Sequence, residues 1–216
     1  MYPRAFLKNI FALLLFFSCQ LSAQDSLKNL SITFSIVPGS RITVDGSTNV
    51  NLFSCFSENT VAHSPVLVTP SSSHTSATLE GAVIKTKTQT LDCANAAMNE
   101  NLYDALHSES YPYIIVEITE VRSADGKPLS FTKGQDLVTK LNLTLAGRKK
   151  MNTVYLNVVN EGSGNYHFIG SHKITLSSYG IDPPKAFFGL VKVDDNITVQ
   201  FNLVVHVEEK IPSQTN

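Results

Sequence analysis

The sequence predicts an all-β fold with one main helix, built as an antiparallel β-barrel of about eight strands. Three observations carry this. Residues 197–207 alternate, with Ile197, Val199, Phe201, Leu203, Val205 and Val207 on one face and Thr198, Gln200, Asn202 and His206 on the other. Residues 137–145 place Leu137, Leu141, Leu143 and Leu145 at odd positions, broken by Thr139. Half-buried antiparallel strands alternate in this way, whereas the parallel sheets of α/β folds read as continuous apolar runs. The third is a lone helical stretch at 88–109, TQTLDCANAAMNENLYDALHSE.

The elements follow in order. At 30–36, Leu30, Ile32, Phe34 and Ile36 alternate with Ser31, Thr33 and Ser35, and Pro38-Gly39 makes a turn. Strands at 41–44 and 49–55 are separated by Asp45-Gly46. A strand at 61–68, a polar loop at 69–75 that suits a barrel rim, and a strand at 79–86 come next. In the helix, Asp92 suits the N-cap, and Met98, Leu102 and Leu106 recur at i, i+4 on one face, while Asn95, Asn99 and Glu100 face elsewhere. Tyr111-Pro112 ends it, because the residue before proline avoids the helical region. A buried strand at 113–121 and the 137–145 strand follow. Gly147 then turns the chain into 153–159, and Gly162-Ser163-Gly164 turns it into 166–176. With 197–207 these ten stretches are expected to make about eight or nine strands.

Composition narrows the function. The hydrophobic share of 43% supports a full core, and the net charge of −1 offers no basic stripe for phosphates, which argues against nucleic acid as a partner. Residues 1–23 read as a secretory signal peptide: Arg4 and Lys8 precede the apolar run IFALLLFF, and Leu21-Ser22-Ala23 precede a cut before Gln24. That run is shorter than the roughly 20 residues of a membrane-spanning helix, so no stable transmembrane segment is expected. Cys19 raises the alternative of a lipoprotein, although Phe16 is a poor match to the small aliphatic residue expected there. The expected organisation is a signal at 1–23, a barrel domain at 24–210 and a loose tail at 211–216. Export leaves Cys55 and Cys93, and two thiols in an oxidising compartment form a disulfide more often than they stay apart.

Three segments carry a family resemblance. The first is Leu91-Asp92-Cys93-Ala94-Asn95 through Leu106, followed by Tyr111-Pro112; the second is Asp136 to Gly147, DLVTKLNLTLAG. The third holds Ser178-Tyr179-Gly180-Ile181, Pro183-Pro184, Phe187-Phe188-Gly189 and Val193-Asp194-Asp195 before the last strand. In order and spacing they resemble the YceI-like, polyisoprenoid-binding family of secreted, lipocalin-like barrels. Two features depart from the family pattern: Arg148-Lys149-Lys150 stands after the second segment, and Asn29-Leu30-Ser31 replaces a usual histidine-serine pair. The resemblance implies an apolar lumen holding an isoprenoid or quinone-like amphiphile, in the periplasm or outside the cell.

Alternation turns Phe34, Ile36, Leu141, Leu143, Tyr166, Phe168, Ile174, Phe201 and Leu203 inward. Periodicity alone fits a solid core equally well; the resemblance favours an open lumen. Met98, Leu102 and Leu106 of the helix, with Phe187 and Phe188, suit its mouth, where adaptable side chains help. His172 shares a face with Tyr166, Phe168 and Ile174 and is a candidate polar anchor for a head group, or a hydrogen-bonded wall histidine. The six histidines are scattered, with no metal-ligand spacing. No nucleophile elbow, catalytic carboxylate pair or phosphate-binding glycine loop occurs, so neither an enzyme nor a cofactor is expected.

A ligand with about 25 heavy atoms at roughly 0.3 kcal/mol each binds with about 7 to 8 kcal/mol. That is micromolar affinity, suited to a carrier that must release its load. The rival is a non-enzymatic structural or stress-related interaction protein with a filled barrel, and a homodimer is left open. The mature chain is expected to begin at Gln24 without lipid; intact mass of the exported protein checks this, and a diacylated chain beginning at Cys19 overturns it.

Overall fold

The computed structural model describes residues 30–63, 65–130, 132, 134–186 and 190–209. The signal segment, Phe187, Phe188 and the 211–216 tail lie outside the described residues. Seven strands precede the helix: β1 (Leu30–Ile36), β2 (Arg41–Ser47), β3 (Leu52–Ser57), β4 (Thr60–His63), β5 (Val66–Pro70), β6 (Ser76–Glu80) and β7 (Val83–Lys87). The helix α1 (Ala96–Ala105) is followed by β8 (Tyr113–Ser123), β9 (Gln135–Leu145), β10 (Arg148–Gly162) and β11 (Asn165–Thr175). The short β12 (Lys185–Ala186) and β13 (Val191–Lys192) lead to β14 (Asn196–Glu209).

Eight of these form a closed antiparallel ring in the order β1-β5-β6-β8-β9-β10-β11-β14, with β14 pairing back to β1. Closure removes the unpaired edges that would otherwise recruit other chains. The ring continues toward the helix through β2, which pairs with residues 198–202 of β14, and β7, which pairs with residues 113–117 of β8.

Several walls expected as single strands are broken in two, which is why the segments outnumber the expected strands. The 61–68 wall divides into β4 and β5 just before Val66, where Pro65 supplies no N–H to a ladder. The 79–86 wall divides at Gly81, whose φ of +84° favours glycine; an added Cβ there would meet the Pro65 carbonyl oxygen at 2.7 Å. Asp45-Gly46, expected as a turn, instead lies inside β2, opposite Ser54 and Phe53. The reversal falls at 48–51, where the Thr48 hydroxyl oxygen accepts from the Val50 and Asn51 N–H groups at 3.2 and 3.0 Å.

The helix is shorter than the periodic stretch that announced it. Thr88–Thr90 is a turn of 3-10 helix, and α1 starts eight residues beyond Thr88, at Ala96. Its N-cap is Asn95, whose Oδ1 accepts from the Met98 N–H at 3.0 Å, and not Asp92. Asp92 is held elsewhere: its backbone exchanges two 2.9 Å hydrogen bonds with Phe56. The helix also stops before Tyr111-Pro112, at Leu106, because His107 adopts a left-handed φ of 50°.

The core lies between the helix and the β9 side of the ring. Leu141, Leu143 and Leu145 pack there with Leu91, Leu106, Val154 and Ile174. Beside it runs a seam. β3 has no strand partner on its far side in the ring; the segment before α1 lies there, joined by the Phe56–Asp92 exchange, a 2.8 Å hydrogen bond between the Ser57 and Thr90 hydroxyls, and a Cys55–Cys93 disulfide. The two cysteine Cα atoms are 3.9 Å apart across 38 positions of sequence. Replacing both cysteines by alanine is expected to lower stability by up to about 4 kcal/mol, the chain-entropy figure for a loop of this length. Urea unfolding measures it, and an unchanged midpoint overturns it.

Candidate functional site

Two adjoining cavities occupy the helix end of the ring. The outer one, about 350 Å³, lies between α1, the 48–51 turn and the side chains of Leu176, Ile181, Pro184, Val191 and Val193. The inner one, about 90 Å³, lies beneath it, bounded by Leu141, Leu143, Ile174, Val199 and Phe201. Val44, Leu102, Leu106, Leu176 and Ile197 border both, so a thin layer of aliphatic side chains is all that separates them. Cys55 and Cys93 form part of the outer wall, so the disulfide that closes the seam also shapes the mouth.

The helix sits over this space without filling it. Met98 and Leu102 are half-buried and no residue within Ala96–Ala105 is fully buried. Its first buried side chain is the C-cap Leu106, 6% exposed.

The residues singled out in the sequence divide by height along the ring. Met98, Leu102 and Leu106 border the outer cavity. Leu102, Leu106, Leu141, Leu143, His172, Ile174 and Phe201 border the inner one. Phe34, Ile36, Tyr166, Phe168 and Leu203 border neither. They face inward at the opposite end, where Phe34 pairs with Val207, Ile36 and Tyr166 pair with Val205, and Phe168 pairs with Leu203. Phe187 and Phe188 are outside the described residues. Asn95, expected to face away, borders the outer cavity, as do Thr48, Val50, Asn51, Val191 and Val193. These last lie in turns and a two-residue strand, too short for any periodic signal.

One polar cluster reaches the inner cavity. The Asn152 amide donates to the Tyr179 hydroxyl at 2.8 Å and to the Lys150 carbonyl at 3.0 Å, which turns Asn152 Oδ1 toward His172 Nε2 at 3.2 Å. With the asparagine oxygen as acceptor, Nε2 carries the imidazole proton. Partial burial pushes the His172 pKa below its usual 6.5, so the ring is neutral at physiological pH. Burial likewise raises the Tyr179 hydroxyl, partly offset by the bond from Asn152. Neutral His172 and Thr86 are the polar side chains on an otherwise apolar surface. Among the described residues no three His, Cys, Asp or Glu side chains are grouped to hold a metal ion.

This architecture, a closed antiparallel ring with a helix over a cavity at one end, defines the class of small β-barrels with an internal apolar site. The YceI-like domain matches residues 29–205, and the chain belongs to that family. BcnA of Burkholderia cenocepacia shares the fold with a TM-score of 0.58 at 16% identity, over 76% of this chain and 95% of its own. A polyisoprenoid-binding domain from Saccharophagus degradans, implicated in plant cell wall breakdown, aligns with a TM-score of 0.59 at 14% identity, over 82% and 99%. No curated relative matches the sequence. Among the described residues no helix is long and apolar enough to cross a membrane.

The depressed His172 pKa has a consequence for stability. The unfolded chain takes up the proton near 6.5 and the folded chain only at a lower pH. The stability this histidine contributes is therefore complete above 6.5 and lost as pH falls through the folded value. His172→Gln should flatten that part of the pH dependence. Urea midpoints at about pH 5 and about pH 8 for both proteins test it, and parallel changes overturn it.

Proposed function

We propose that this chain is an exported, non-enzymatic carrier or store for an isoprenoid or quinone-like amphiphile, held in the cavities beneath α1. The observation that carries the reading is the pair of adjoining apolar cavities at the helix end of the ring. The outer volume of about 350 Å³ lies within the roughly 300–1,000 Å³ range of small-molecule sites. Membership of the YceI-like family and likeness to a polyisoprenoid-binding domain support a lipid as the occupant. The signal-like residues 1–23 support export, with the periplasm or the exterior as the place of action.

In this reading the ligand-binding residues are Met98, Leu102 and Leu106 at the mouth, and Leu141, Leu143, Ile174 and Phe201 further in, with His172 as the deepest polar group. Phe34, Ile36, Tyr166, Phe168 and Leu203 act by sealing the far end, so that the tail of a ligand meets a solid floor. Binding needs no bond made or broken; removal of an apolar chain from water drives it, at roughly 25 cal/mol per Å².

Lipid extracted from the purified exported protein and identified by mass spectrometry tests the proposal directly. Phe201→Trp enlarges the inner wall at a cost to the fold of about 1–3 kcal/mol, and is expected to retain less lipid than the parent. Undiminished lipid in the folded variant, or none in either protein, would mean that these side chains only fill a core, as in a structural protein.

A further inference from the structure

We infer that the ligand's head group is uncharged and accepts hydrogen bonds, and that it is held at the outer rim by the carboxamides of Asn51, Asn95 and Asn101. This rests on the carrier reading and specifies its ligand.

No charged side chain of the described residues borders either cavity. The polar groups of the outer one are Thr48, Asn51, Asn95 and Asn101. Two of the amides are oriented by their oxygen atoms. Asn51 Oδ1 accepts from the Thr48 hydroxyl at 2.6 Å, and Asn95 Oδ1 accepts from the Met98 N–H at 3.0 Å. All three side chains are exposed, and among the described residues neither the NH2 group of Asn51 or Asn95 nor the Asn101 carboxamide has a protein partner. The rim therefore offers a ligand mainly N–H donors, which suit a carbonyl, ester or ether oxygen.

Charge around the rim points the same way. Residues 88–112 carry Asp92, Glu100, Asp104 and Glu109 and no Lys or Arg. The α1 N-terminus supplies about half a positive charge, a feature that attracts anions elsewhere. Here that end is already answered by Asp92, whose carboxylate accepts from the Ala94 N–H at 2.9 Å and the Asn99 amide at 3.0 Å. Lys192 is exposed, alternating with Val191 and Val193, which border the cavity. A phosphate or carboxylate head at this exposed rim would meet neutral donors, with no cation among the lining residues to pair with it. A neutral oxygen loses little water and gains the amide bonds.

Three probes with one tail length separate the possibilities on the purified full chain: farnesyl acetate, farnesyl diphosphate and the headless hydrocarbon farnesane. Each is titrated against bound N-phenyl-1-naphthylamine, a neutral fluorescent reporter of apolar sites. Farnesyl acetate should displace it at a concentration at least about tenfold below that needed for the diphosphate. Asn101→Leu, and Asn51→Asp, which keeps an oxygen for Thr48 while removing the donor, should each weaken farnesyl acetate by about threefold to tenfold. Farnesane should bind both variants as it binds the parent. A diphosphate that matches or exceeds the acetate overturns the inference, as does an acetate indifferent to both substitutions. If farnesane displaces the reporter in those cases, the carrier reading stands and only the head-group assignment falls. If none of the three displaces it, both fall together.

Discussion

The placement of α1 depends on the seam beside β3. A helix of ten residues is marginal in water by itself, and none of its residues is fully buried, so packing alone contributes little to holding it. Three connections do so instead: the paired backbone bonds between Phe56 and Asp92, the Cys55–Cys93 disulfide, and the Tyr103 hydroxyl, which donates to the Leu91 carbonyl at 2.8 Å. Together they tie the helix, through the segment just before it, to β3, and its apolar face packs only partly, through Leu102 and Ala105, against the core. A helix held by tight packing of that face would close the cavity. A helix held at its edge roofs it, and the same bonds that complete the barrel wall therefore define the site.

The two ends of the ring differ because their side chains differ in reach. At the far end Phe34, Tyr166, Phe168 and Leu203 pair with neighbours on adjoining strands, and none of them borders the two cavities beneath the helix. At the helix end the inward set is mainly aliphatic, with Leu141, Leu143, Ile174 and Val199, and the space is left open. The Asn152–His172–Tyr179 cluster supplies polarity there without charge, each member satisfied by its neighbour. Thr139 is less well served. It interrupts the leucine row of β9, is 1% exposed, and its hydroxyl has no hydrogen-bond partner among the described residues.

Alternation made the ring legible, since period-two patterning reports which face of a strand a residue occupies. It does not report height. Phe168 and His172 share a face of β11, yet only His172 borders a cavity, and nothing in the pattern separates them. Strand breaks were hidden for a related reason: Gly81 reads as an isolated glycine until the Pro65 carbonyl is seen against it. The cysteine pair was readable from the compartment that the leader implied. The cap was not, because Asp92 and Asn95 are equally good cap residues and only the bridge to Phe56 decides between them. The mouth was least legible, being built by the 48–51 turn and β13, where contacts far apart in sequence bring Thr48 opposite Val193.

Size sets the order in which a ligand meets these surfaces. The inner cavity, at about 90 Å³, is smaller than the roughly 150 Å³ apolar cavity that accepts one benzene ring. It takes a few carbons as it stands. A longer tail would have to displace the shared layer of Leu102, Leu106 and Ile197, and of these Leu102, half-buried on a helix with no fully buried residue of its own, yields most readily. The outer cavity needs no such movement. On the proposed function, a head and first carbons would bind a preformed site, while each further carbon would gain burial only after the layer moves, so that the stiffness of that layer would select tail length more than the depth of the barrel does.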